Sequence, residues 1–121
     1  MEALTTLVLG ASLKPNRYSY YAIERLVAHN KAVVAVGQRE GSVAGVPIIT
    51  EKKMFSDIDT VTLYMNPKRQ EPFYDYILAL KPRRVIFNPG TENPEFESLL
   101  AANGILADRA CTLVLLSTDQ Y

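Results

Sequence analysis

Ten consecutive residues, Gly10-Ala11-Ser12-Leu13-Lys14-Pro15-Asn16-Arg17-Tyr18-Ser19, bring together the groups that hold an anion. Gly10, followed by the small Ala11, lets the backbone turn sharply and lets another group approach closely. Ser12 and Ser19 offer hydroxyls, while Lys14 and Arg17 each add a full positive charge. The stretch follows an apolar run and leads into a helix-period segment. The unpaired N–H groups of that helix's first turn would add a partial positive charge. A phosphate placed there would receive charge-assisted hydrogen bonds, each contributing roughly 1.5–3 kcal/mol. The order strand, glycine loop, helix favours a phosphate cradle over a solvated loop with two surface cations.

The spacing is not that of the dinucleotide fingerprint G-x-G-x-x-G/A, because Ser12 and Pro15 stand at the second and third glycine positions. Nor does a G-K-[ST] sequence close the loop, as a P-loop would require. Its length suits it to wrap around a diphosphate.

Three later segments carry compatible chemistry. Gly37-Gln38-Arg39-Glu40-Gly41 follows Val36, where an NAD-binding domain usually places an acidic residue for the ribose hydroxyls. Gln38 and Arg39 suit a phosphorylated ribose instead. Coenzyme A with its 3′-phosphate and NADP with its 2′-phosphate both remain open, as does Arg39 as a plain surface charge beside Glu40. Met65-Asn66-Pro67 and Asn88-Pro89-Gly90-Thr91 are turn chemistry first, and their added reading is the lining of an adenine or pantetheine groove.

No catalytic set stands out, so enzyme activity is left undecided, with binding the favoured reading. His29, the one histidine, falls near a helix end, where it compensates the dipole rather than acting as a base. Cys111 leads into an apolar stretch, the usual setting of a packed thiol. No Cys/His spacing forms a metal site. Asp57, Asp59, Glu95 and Glu97 sit at turns or in a first helical turn and suit caps and dipoles.

The elements that must position these loops are legible as apolar runs alternating with helix-period segments. Leu4–Leu9, Ala32–Val36, Thr60–Met65, Val85–Phe87 and Ile105–Ala107 read as strands. Tyr20–Asn30 reads as a helix with Ile23, Leu26 and Val27 on one face. Asn66-Pro67 opens a turn before a helix over Glu71–Leu80. Asn93-Pro94 caps another, which ends before Gly104. Glu51–Phe55 is expected to form one helical turn, and Cys111–Ser117 fits a strand or a helix equally. The series predicts a single α/β domain over residues 1–121, a Rossmann-like parallel sheet of about five strands with helices on both faces. In such a sheet ligands bind outside the carboxyl ends of the strands.

Composition narrows the partners. Across 121 residues, thirteen basic and thirteen acidic side chains cancel, which argues against a nucleic-acid platform. The apolar runs are too short to span a bilayer, no secretory signal is visible, and a lone cysteine suits a reducing compartment. The expectation is a cytoplasmic protein whose partner is a small-molecule nucleotide cofactor, with neither nucleic acid nor membrane.

At the four loops the chain resembles the CoA-binding domain family, relatives of the N-terminal domain of the succinyl-CoA synthetase α subunit. Val8-Leu9-Gly10-Ala11-Ser12 with Lys14-Pro15 and Ser19 looks like that family's V-x-G-A-S-x-K-P loop. Val34-Ala35-Val36-Gly37-Gln38, Ala44-Gly45-Val46-Pro47, Asn66-Pro67, Asn88-Pro89-Gly90 and Ala110-Cys111 continue the likeness in order. Gln38 stands where the family has proline, and Asn66 where it has arginine. The resemblance implies that Gly10, Ser12, Lys14, Arg17 and Ser19 contact the diphosphate and that Arg39 lies near the 3′-phosphate. It further implies that Met65, Asn66 and Pro67 flank the adenosine and that Asn88, Pro89 and Gly90 border the pantetheine arm. The expected role is binding of coenzyme A or an acyl-CoA without evident catalysis, alone or beside a separate enzyme. The alternative is a small NADP-binding reductase or redox sensor, and the apolar tail ending at Tyr121 is compatible with a homodimer.

Overall fold

The central strand, β1 (Thr5–Ala11), carries the unbroken apolar run Leu7-Val8-Leu9 because both of its faces are covered there: all three are fully buried. The structure, a computed structural model, describes residues 4–121. The further strands are β2 (Ala32–Gly37), β3 (Gly41–Val43), β4 (Val46–Ile49), β5 (Ile58–Leu63), β6 (Arg84–Phe87) and β7 (Leu106–Arg109). They form one seven-stranded sheet in the order β3-β4-β2-β1-β5-β6-β7. Only β3 runs antiparallel, against β4. The six parallel strands follow the doubly wound Rossmann order, which reverses between β1 and β5.

Helices cover both faces. α1 (Tyr18–Ala28) places Ile23 and Leu26 on the face that carries Val8, Ala35 and Ile48. On the other face lie α2 (Pro67–Gln70), a 3-10 turn (Glu71–Phe73), α3 (Tyr74–Leu80) and α4 (Pro94–Ala102). There Ile77, Phe96 and Leu100 pack on Leu7, Leu9, Val61 and Phe87. Phe87 and Phe96 meet edge to face at 6.0 Å. Each fully buried side chain of this kind contributes roughly 1.5–3 kcal/mol. None of the helices described is long and apolar enough to cross a membrane.

The α/β, Rossmann-like expectation holds, but the sheet has seven strands rather than about five. The additional pair is a tight hairpin whose turn residues, Ala44 (φ 50°) and Gly45 (φ 81°), are both left-handed. Glu51–Phe55 is not helical. Its carbonyls at Glu51 and Lys53 accept from the amides two residues on, and Tyr76 donates its hydroxyl to Lys53 O from α3, which holds the segment open. The helix placed over Glu71–Leu80 begins earlier. Asn66 caps α2 by accepting from Arg69 N at 3.0 Å, and Pro67 takes the first helical position.

The ambiguous tail resolves as α5 (Thr112–Ser117). Its first amide, Thr112 N, donates to Asn88 Oδ1 at 2.9 Å, a cap supplied by another loop. Leu116 then packs on the α1 face.

Candidate functional site

The end of β1 is shaped by two close approaches. Gly10 bulges out of register with β2 at φ 92°, and a Cβ there would lie 2.7 Å from Tyr64 O. Both the conformation and the contact require glycine. Gly37 at the end of β2 answers it from the other side, since a Cβ there would lie 2.3 Å from Ala11 O. The strand ends therefore crowd together and turn the following loops outward.

Ser12 accepts from Lys14 N at 3.1 Å, and Arg17 N donates to Lys14 O at 3.1 Å, which folds the loop into a tight arch. Arg17 is the N-cap of α1 and makes no side-chain cap bond. The opening amides of this eleven-residue helix are left to face whatever lies in front of them.

What lies in front is a cleft of about 530 Å³ at the carboxyl edge of the sheet, where the strand order reverses. That volume falls within the roughly 300–1,000 Å³ usual for small-molecule sites. Gly10, Ala11, Ser12, Leu13, Lys14, Arg17, Tyr18 and Ser19 form its floor and one wall. Gln38 and Arg39 enter from the β2 loop, Tyr64, Met65, Asn66 and Arg69 from the end of β5 and α2, and Pro89, Gly90 and Thr91 from the β6 loop. Four cationic side chains line this space and no carboxylate does, although the chain as a whole is neutral.

The cations are also unengaged. Among the described residues the ion pairs are Arg83–Asp59 at 2.9 Å and Arg109–Glu97 at 2.8 Å, and neither includes Lys14, Arg17, Arg39 or Arg69. The contrast is visible in the carboxylates as well. Hydrogen bonding to Arg83 holds the Asp59 carboxyl below its ordinary range, and Arg109 does the same for Glu97. Tyr64 differs: burial pushes its phenol up to about 12, against hydrogen bonds with Thr62 and Thr112.

Of the residues singled out in the sequence, Gly10, Ala11, Ser12, Lys14, Arg17, Ser19, Gln38, Arg39, Met65, Asn66, Pro89 and Gly90 line this one cleft. Pro67 and Asn88 do not. Pro67 starts α2 outside the lining. Asn88 is 3% exposed and fully occupied. Its Nδ2 donates to Thr62 Oγ1 at 2.7 Å and Leu63 O at 2.8 Å, while its Oδ1 caps α5. It holds the loop from inside. Leu13, Tyr18 and Thr91 belong to the loops singled out in the sequence but carry no assigned contact there, and Tyr64 and Arg69 are additions. The signal for Arg69 was present: Asn66-Pro67 as cap and first turn would have begun the helix there.

The sequence profile of the CoA-binding domain matches residues 4–117. The chain belongs to the CoA-binding domain family. It is also similar to solved members of this fold. A crystal structure of an uncharacterized protein is 50% identical over 100% of both chains, with a TM-score of 0.95. A protein from Thermus thermophilus shares the fold at 24% identity and a TM-score of 0.87, over 98% of this chain and 91% of that one. A hypothetical protein from Pyrococcus horikoshii OT3 does so at 22% and 0.82, over 93% and 81%. No curated protein matches the chain.

Proposed function

We propose that this CoA-binding domain holds coenzyme A or an acyl-CoA in the cleft at the end of β1 and, in the cytoplasm, serves as a binding module rather than a catalyst. The observation that carries the reading is four cations, in no ion pair among the described residues, and no carboxylate lining one cleft of a neutral protein. Coenzyme A bears a diphosphate and a 3′-phosphate, and such a donor set fits a ligand of several negative charges. Gly10, Ala11, Ser12, Lys14, Arg17 and Ser19 would hold the diphosphate beside the opening amides of α1. Gln38 and Arg39 would take the 3′-phosphate. Met65, Asn66 and Pro67 would flank the adenosine, and Pro89 with Gly90 would border the pantetheine arm. Asn88 serves that arm indirectly, by fixing the loop.

Calorimetric titration with CoA, dephospho-CoA, NADP and NAD at moderate salt tests this. CoA is expected to bind roughly 10- to 100-fold more tightly than dephospho-CoA, the size of one charge-assisted contact. Arg39→Ala should erase most of that margin. Preference for NADP would replace the reading with the reductase one, which the phosphate-suited pair Gln38-Arg39 also accommodates. No binding by any of the four would overturn it.

A further inference from the structure

One buried side chain joins two walls of the cleft. Gln70, the last residue of α2, has no exposed surface. Its Nε2 donates to Met65 O at 2.9 Å and to Thr91 O at 2.7 Å. Met65 and Thr91 both line the cleft, from the loops after β5 and β6.

The direction of the amide is set from outside. Asn93 Oδ1 caps α4 by accepting from Phe96 N at 3.2 Å, which turns Asn93 Nδ2 toward Gln70 Oε1 at 3.0 Å. The other hydrogen of Nδ2 goes to the Tyr74 hydroxyl at 2.8 Å, and the Tyr74 ring stacks on Phe96 at 4.2 Å. Gln70 therefore cannot reverse its amide without losing every one of these partners. One residue before it, Arg69 faces the cleft with its backbone amide held by Asn66.

We infer that Gln70 is a positioning residue of the cleft, fixing the gap between the β5 and β6 loops and thereby holding Arg69 as a further ligand-binding cation. Without its two donors, two buried carbonyls lose their partners, and the loops must part to find water. Arg69 rides on the turn that moves. The identity of the ligand rests on the CoA reading above, whereas the coupling of the two loops does not.

The test combines amide hydrogen exchange without ligand and CoA titration, on the full chain and on Gln70→Met, Arg69→Ala and the double variant. Gln70→Met keeps the length and removes the donors. Gln70→Asn, which keeps donors but cannot reach both carbonyls, serves if the first variant does not fold. Exchange over 65–69 and 90–91 is expected to rise together, by roughly 10- to 100-fold, with 10–19 unchanged. Each single variant should weaken CoA roughly tenfold and flatten its salt dependence. The double variant should fall less than about twofold below the worse single one, because both remove the same contact. Unchanged exchange at 90–91, or additive losses in the double variant, would overturn the inference. If the parent chain binds no CoA, the CoA reading fails by itself, and the exchange data alone decide the role of Gln70.

Discussion

The cations at the amino ends of the strands and those around the cleft are treated in opposite ways. At the amino ends of the strands, Arg83 is paired with Asp59. Next to it the buried Arg84 donates to Thr60 Oγ1 at 3.3 Å and lies 4.8 Å from the ring of Tyr121. Those cations hold the fold. At the carboxyl ends, Lys14, Arg17, Arg39 and Arg69 face one cleft, and none takes part in an ion pair among the described residues. Desolvated charge without a partner is costly, and these four stay in contact with solvent. The same residue types are thus paired and packed in one place and unpaired around the cleft, and the partner geometry tells them apart.

The largest way to sharpen that contrast is the Lys14→Ala, Arg17→Ala double variant. Its affinity for CoA should fall more than about 100-fold, while its urea midpoint stays within about 0.5 kcal/mol of the parent. A large stability loss would mean that these cations also hold the fold. Arg84→Ala should do the reverse. Loss of the buried guanidinium contacts with Thr60 and Tyr121 should cost about 2–3 kcal/mol in urea unfolding and leave CoA affinity nearly unchanged. The smallest effect belongs to Asp59→Asn. The Asp59 carboxyl is held below its ordinary range in the folded chain, so its contribution is complete above the unfolded value of about 3.9 and is lost as pH falls through the lower folded value. The parent should therefore lose melting temperature more steeply than Asp59→Asn does as pH falls below about 4. The two should differ little in that slope at higher pH, because the pair is exposed on the Arg83 side.

Five of the six parallel strands and the first loop are legible in the sequence because each signal is local. Uninterrupted apolar runs mark strands covered on both faces, and Gly10 followed by hydroxyls and cations marks the turn into α1. The β3–β4 hairpin was not legible. Its turn puts Ala44 at φ 50°, a place where a sequence usually announces itself with Asn or Asp. Asn88 shows a second kind of failure. Turn composition identified the loop but could not say that the amide points inward to Thr62, Leu63 and Thr112. Arg69 shows a third, since a cation's role depended on starting a helix at Pro67 instead of Glu71. Inward or outward aim is a tertiary property, and residue type alone does not carry it.

The contact between the Thr6 and Tyr121 hydroxyls links positions 115 apart at the edge opposite the cleft. Strand β1 and Tyr121, beyond α5, are therefore neighbours in space. The turn at Ala44–Gly45 lies at that same edge, because β3 runs antiparallel to its neighbours. A break at that turn would pass through no loop that lines the cleft. The turn that could be cut and the cleft stand at opposite edges of one sheet.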